Sequence, residues 1–309
     1  MLRPTTARTA AMPPYRRLIV LICLPLLLTG CSRHFNGPGE QPIHLDSASA
    51  QVTRLQGLTY TPNGWPETLQ ADVYLPADDG TALRPAALVV HGGGWQRRDR
   101  SDMDGIAEQL AKAGFVAVNV EHRFAPAHRF PAQLHDLQVA MHWLHEQAPG
   151  WRIDTRRLTG VGFSSGAHLV GLLGLSADQP DLASPYGGEH TRLQAVVAGG
   201  MPSDLFKFDD GRLVVEFLGG TRAEAPEQYR LASPAHQLSD SAPAFFLFHG
   251  TQDRLVPVDH AEDFHQALLE RGIHSELYLQ RLRGHLTSFV TRGKAVEAGI
   301  NFLSHQVSD

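Results

Sequence analysis

The chain has 309 residues, of which 42% are hydrophobic and 19% charged, a globular composition at a length that suits one large α/β domain or two small ones. Its formal charge of -5 offers no basic face to nucleic acid, and neither GxGxxG nor CxxC occurs to support a dinucleotide-binding or zinc-finger reading. No segment is low-complexity and no repeat of solenoid period is present.

The first thirty residues stand apart. They carry Arg3, Arg8, Arg16 and Arg17 and no acid, followed by the apolar run Leu18 to Leu28 and then Thr29-Gly30-Cys31. A basic stretch, a short apolar core and small residues ahead of a cut describe an export signal. An apolar core of this length falls short of the roughly 20 residues that span a bilayer comfortably, which weighs against an uncleaved anchor. Met12 offers a second start, with Arg16-Arg17 as the basic end. Leu28-Thr29-Gly30-Cys31 resembles the lipobox of bacterial lipoproteins, which implies lipidation of Cys31 as the first mature residue and, with Ser32 behind it, sorting to the outer membrane. The four arginines would leave with residues 1–30, moving the charge from -5 to -9. Cys23 would leave too, so the exported form would have no internal disulfide.

Residues 32–50 are rich in Gly, Pro and Ser without a hydrophobic period and read as a tether. Leu55–Thr61 and Leu69–Leu75 read as an opening antiparallel pair around Asn63-Gly64. The later apolar runs are continuous, as in strands buried on both faces: Ala86–Val90, Val116–Val120, Leu158–Phe163, Ala195–Ala198, Phe245–Phe248 and Leu277–Leu279. Helical spacing fills the intervals at Asp102–Ala113, Gln133–Gln147, Gly166–Ala177, Val258–Arg271 and Lys294–His305. This alternation predicts a mostly parallel sheet flanked by helices over 51–309. Residues 201–235 break the rhythm and read as a small inserted lid.

A serine hydroxyl needs a base to become a nucleophile. Ser164 stands in Gly162-Phe163-Ser164-Ser165-Gly166 between a strand (LTGVGF) and a helix (GAHLVGLLGLSA), where flanking glycines allow a tight turn that presents the hydroxyl. The five-residue pattern alone is weak; its strand–helix context gives it weight. His91-Gly92-Gly93-Gly94-Trp95 follows another strand, and its glycines let backbone N–H groups approach a developing oxyanion. Gly93 and Gly94, with the N–H of Ser165, are the expected oxyanion hole, while His91 is expected to anchor the loop. The expected base is His285 in Arg283-Gly284-His285 after the last strand, and the expected acid is Asp253 in His249-Gly250-Thr251-Gln252-Asp253. His168, Asp204 and Asp210 are weaker rivals. Trp95 and Met201 are candidates for the substrate pocket, whereas Phe206 suits core packing better.

The segment EHRFAPAHRFPAQLHDLQVAMHWL, with HGGGW before it and GVGFSSGAHL after it, resembles bacterial carboxylesterases of the α/β-hydrolase superfamily, closest to the BD-FAE and hormone-sensitive-lipase-like branches. The resemblance extends from about residue 52 to the end. His122, Phe124 and Ala127 depart from its Tyr-Arg-Leu-x-Pro-Glu block, and Phe163-Ser164-Ser165 sits better on the BD-FAE side. It implies hydrolysis of small carboxylic esters through an acyl-enzyme on Ser164, with no metal or organic cofactor. An amidase or peptidase on the same triad, akin to kynurenine formamidases, is the alternative; a lipid-tethered binding protein or pseudoenzyme is a third reading.

Overall fold

The computed structural model describes residues 32–37, 51–77 and 80–308. The signal segment 1–30, Cys31 and most of the tether lie outside them. The strands are β1 (Arg33–Phe35), β2 (Thr53–Thr59), β3 (Gln70–Leu75), β4 (Arg84–Val90), β5 (Val116–Val120), β6 (Ile153–Phe163), β7 (Ala195–Gly199), β8 (Ala244–Gly250) and β9 (Ser275–Gln280). They form one sheet in the order β1-β9-β8-β7-β6-β4-β5-β3-β2. Neighbours from β5 through β9 pair in parallel, while β1, β2 and β3 pair antiparallel. This is the α/β-hydrolase arrangement that the sequence predicts.

Continuous apolar strands are buried on both faces because alternate side chains feed two cores. Ala86, Leu88 and Val90 of β4 enter one cluster; Ala87 and Val89 enter the other. The first core lies under α2 (Ala132–Trp151), α3 (Ser165–Ser176) and α7 (Asp259–Glu270), the second under α1 (Asp104–Lys112) and α9 (Gly293–Gln306). Gly114, at φ +93°, ends the turn after α1 where a side chain would be strained. Every residue of α3 is buried, as expected of a helix that is small and apolar all round.

Successive crossovers leave β4 toward β5 on one side and β6 on the other, so the loops after β4 and β6 meet at the carboxyl edge of the sheet. Open parallel sheets bind ligands in that crevice. Residues 201–235 carry short helical turns together with α5 (Arg212–Leu218) and α6 (Pro226–Ala232) and lie against this edge. Outside the lid, two short helices are additional to the sequence reading: α4 (Pro180–Ala183) and α8 (His285–Val290).

The tether reading requires a correction. Arg33–Phe35 is an edge strand on β9, with Arg33 opposite Leu279 and Phe35 opposite Leu277. Three residues are too few to show a period, so only long-range partners reveal the strand. The His34 ring contacts Phe246 and Tyr278, and its Nε2 bonds Glu276 Oε2 at 2.7 Å.

Candidate active site

Phe163 ends β6 and Ser165 begins α3, leaving Ser164 alone at the turn with φ +56° and ψ -125°. That backbone is unfavourable for a residue with a Cβ, and its persistence marks a site where the surroundings fix the chain. Its N–H donates to Gly199 O at 2.7 Å. The two flanking glycines are sterically required. A Cβ on Gly162 would stand 2.5 Å from the Gly166 carbonyl carbon, and one on Gly166 would strike the Val90 carbonyl.

Three of the residues singled out in the sequence converge here. Ser164 Oγ and His285 Nε2 are 2.8 Å apart, and His285 Nδ1 lies 2.6 Å from Asp253 Oδ2. An ionised carboxylate only accepts, so Nδ1 carries the proton and Nε2 presents its lone pair to the serine. Asp253 is held from the other side: its Oδ1 accepts the N–H groups of Leu255 and Val256, each at 2.9 Å. Burial raises the Asp253 pKa, but hydrogen bonds from His249, His285 and the Val256 N–H outweigh it and hold the carboxyl well below the usual range. The sequence reading overlooked His249. Its Nε2 bonds Val256 O at 2.8 Å and sits 3.5 Å from Asp253 Oδ2. The signal was present as a histidine at the end of β8, four residues ahead of the acid.

The loop after β4 lies directly against this turn: a Cβ on Gly92 would meet Phe163 O at 2.8 Å and Ser164 Cβ at 3.2 Å. Gly93 and Gly94 adopt φ +129° and +64°, and a side chain on Gly93 would collide with the Arg97 carbonyl. Both glycines line the same cavity as Ser164, Ser165 and His285. Ser165 is the first residue of α3, where backbone N–H groups have no helical acceptor. His91 anchors the loop as expected. It is buried, donates from Nδ1 to Gly92 O at 2.7 Å, and stacks on His122 with ring centres 4.6 Å apart. Burial and the neighbouring His122 push its pKa down to about 3, so it stays neutral.

The rivals have other partners. His168 is buried on α3, its Nδ1 accepting from Trp95 Nε1 at 3.2 Å and its Nε2 donating to Ala232 O at 2.6 Å. Asp204 accepts the Phe206 N–H and Asp210 the Arg222 N–H.

The cavity has a volume of about 690 Å³ and is mostly apolar, with Phe163, Phe208, Leu213, Val214, Leu255 and Phe289 among its walls. Trp95 borders it but is largely occupied elsewhere, stacked on Phe217 at 4.5 Å. Met201 does not reach it, which corrects the expected pocket. Gly200 turns the chain at φ +56°, and Met201 packs beneath α3 where Gly171 leaves room for its sulfur, while Pro202 takes the cavity wall. Phe206 packs on Tyr229 within the lid, in line with the packing role expected of it. Among the described residues, no group of three or more His, Cys, Asp or Glu side chains is placed to hold a metal ion.

A family model described as BD-FAE matches residues 71–268, well over half of the chain, and the chain belongs to that family. Esterase LipC of Mycobacterium tuberculosis is 29% identical over 206 residues, covering 64% of this chain and 51% of LipC. An ethyl acetate hydrolase of Pseudomonas putida is 38% identical over 133 residues, 42% of this chain and 40% of that protein. The chain thus spans about half the length of these relatives. Among solved structures, a truncated carbohydrate esterase from gut microbiota superposes with a TM-score of 0.73 at 22% identity, over 89% of this chain and 100% of the other. Esterase 2 of Thermogutta terrifontis gives 0.66 at 23%, over 84% and 93%. At these identities the likeness is one of fold.

Proposed function

We propose that this member of the BD-FAE family is a serine carboxylesterase acting on small esters through an acyl-enzyme at Ser164. The observation that carries the reading is the Ser164–His285–Asp253 relay, with links of 2.8 and 2.6 Å, opening into an apolar cavity. His285 Nε2 takes the Ser164 proton as Oγ attacks the ester carbonyl, and Asp253 stabilises the resulting imidazolium. The N–H groups of Gly93, Gly94 and Ser165 receive the oxyanion. His285 then protonates the leaving alcohol; a water, activated the same way, releases the acid. The names of the relatives, an esterase and an ethyl acetate hydrolase, support the reaction class.

A fluorophosphonate probe tests the reading. Labelling at Ser164, with faster turnover of p-nitrophenyl acetate than of the matching anilide, is the expected result. An unlabelled, folded protein would refute a nucleophilic Ser164, and preference for the anilide would make the enzyme an amidase.

We further infer export and lipid anchoring at Cys31, with the domain held at the outer membrane. The support is the basic, apolar and lipobox-like order of residues 1–31. No helix among the described residues is long and apolar enough to cross a membrane. Cys31→Ser should abolish incorporation of labelled fatty acid and leave a larger, unprocessed chain; a protein of unchanged size would count against the anchor.

A further inference from the structure

Large apolar side chains are exposed on the segments that carry Asp253 and His285. Leu255 (55% exposed) follows the acid loop, Leu282 (51%) precedes the histidine, and Leu286 (67%) and Val290 (68%) lie one turn apart on α8. Leu255 and Leu286 also line the cavity. Leu282 sits at φ +58°, a left-handed backbone that suits Asn or Gly better than leucine. Its N–H donates to Thr251 Oγ1 at 3.0 Å, but half of the leucine is left exposed.

Cations alternate with these side chains, as Arg254-Leu255 and Arg281-Leu282-Arg283. Arg254, Arg281 and Arg283 have no side-chain ion pair or hydrogen bond among the described residues. Residues 251–258 and 281–294 contain no acid except the buried Asp253, although the whole chain carries a formal charge of -5. Exposed leucines interleaved with unpaired arginines form a surface that inserts apolar groups at a lipid interface while pairing with anionic head groups.

The course of β1 points the same way. It runs antiparallel to β9 with Arg33 opposite Leu279, so the chain ahead of Arg33 enters from the carboxyl edge, the edge that carries Leu282 and the cavity. Residue 31 is two peptide units from Arg33, a reach of about 7 Å. By covalent reach alone, an acyl group on residue 31 would be joined to the chain within that distance of Arg33.

We propose that the face carrying Leu255, Leu282, Leu286 and Val290, with Arg254, Arg281 and Arg283 between them, docks on an anionic lipid surface so that the cavity mouth opens toward the bilayer. Docking through this face goes beyond the esterase reading and does not require lipidation, which would only reinforce the same orientation.

The test uses the whole chain with Cys23 and Cys31 replaced by serine, so that an introduced cysteine is the one labelling site and lipidation plays no part. A polarity-sensitive fluorophore is placed at Val290→Cys or, as control, at Leu83→Cys. Leu83 is also exposed (53%) but precedes β4 at the amino edge of the sheet. On vesicles of phosphatidylcholine with one-quarter phosphatidylglycerol, the label at 290 should shift to the blue and be quenched by spin-labelled lipid. The label at 83 should remain water-like. Arg281→Gln with Arg283→Gln should raise the anionic lipid concentration needed about 25-fold, at roughly fivefold per cation. Leu282→Asn should also weaken the signal with no fall in melting temperature, because Asn suits that backbone.

Equal signals at 290 and 83, no vesicle contact, or indifference to the arginine pair would overturn the proposal. So would a blue shift without vesicles that grows with protein concentration, which would assign the face to a second copy of the chain. Fluorophosphonate labelling of the same samples reports on Ser164 independently.

Discussion

On the sheet side of the cavity, each residue of the proposed relay sits on a short lead from a strand. Ser164 directly follows β6, Asp253 stands three residues past β8, and His285 five past β9. The opposite wall, residues 201–235, hangs between β7 and β8 and is fastened from a distance. Its Phe217 stacks on Trp95, and its Ala232 carbonyl receives the His168 N–H. One side is positioned by local chain geometry and the other by contacts between segments remote in sequence. The first should therefore respond to substitution in chemistry, the second in stability and access.

Substitution on the sheet side should give the largest effects. Ser164→Ala should lower kcat on p-nitrophenyl butyrate by about 10⁶-fold and abolish fluorophosphonate labelling, with the melting temperature little changed. Asp253→Asn should cost about 10⁴-fold, since an amide facing Nδ1 favours the wrong tautomer of His285. The backbone donors from Leu255 and Val256 would then face an amide oxygen in place of a carboxylate. Loss of activity only in step with unfolding would erase the contrast between the two sides.

The lid side should behave in the reverse way. Phe217 is fully buried between Trp95, His168 and Phe130. Phe217→Ala should destabilise the protein by about 3–5 kcal/mol, read by urea unfolding. Activity of the remaining folded fraction should change mainly through KM, because the relay does not touch Phe217. A large fall in kcat with stability intact would show that Trp95 transmits lid position to Gly93 and Gly94.

The same contrast explains what the sequence made legible. HGGGW, GFSSG, HGTQD and RGH each lie at the end of an apolar strand run, so strand order and turn chemistry bring them to one edge. Helical spacing likewise located all five long helices. Met201 went astray because its direction depends on the backbone of Gly200 and on a gap that Gly171 leaves in α3. Arg33–Phe35 was missed because an edge strand of three residues has no pattern of its own. The lid's placement depends on pairings such as Trp95 with Phe217, which no local window contains. His122 illustrates a middle case: its departure from the resembled block was visible, but its stacking on His91 needed the fold.

Acid should weaken the lid fastening. Burial lowers the His168 pKa to about 4, only partly offset by its bond to Ala232. Between the ordinary value near 6.5 and about 4, the unfolded chain binds a proton that the folded one refuses, so stability rises with pH and is lost as pH falls through that window. Each such histidine contributes up to about 1.4 kcal/mol per pH unit there. His260, lowered to about 4 chiefly by burial and stacked on Phe208 of the lid, adds to the same slope. His168→Gln should lower stability at pH 7 by losing one of two hydrogen bonds, then converge with the parent as pH approaches 4. Parallel melting curves across that range would mean that His168 is not the group resisting protonation.

The smallest effect should come from the residue beside the proposed nucleophile. Ser165 is 1% exposed, and its Oγ has no hydrogen-bond partner among the described residues. Its backbone N–H, at the start of α3, is the part assigned to the proposed oxyanion hole, and alanine supplies the same N–H. A buried hydroxyl without a partner carries a desolvation cost, so Ser165→Ala should leave kcat within about twofold and raise stability by up to about 1 kcal/mol. The measurement pairs p-nitrophenyl acetate kinetics with thermal unfolding. A loss of activity beyond tenfold with the fold intact would show that the hydroxyl takes part in the reaction. The oxyanion would then rest on a side chain as well as on Gly93 and Gly94, and position 165 would no longer act through its backbone alone.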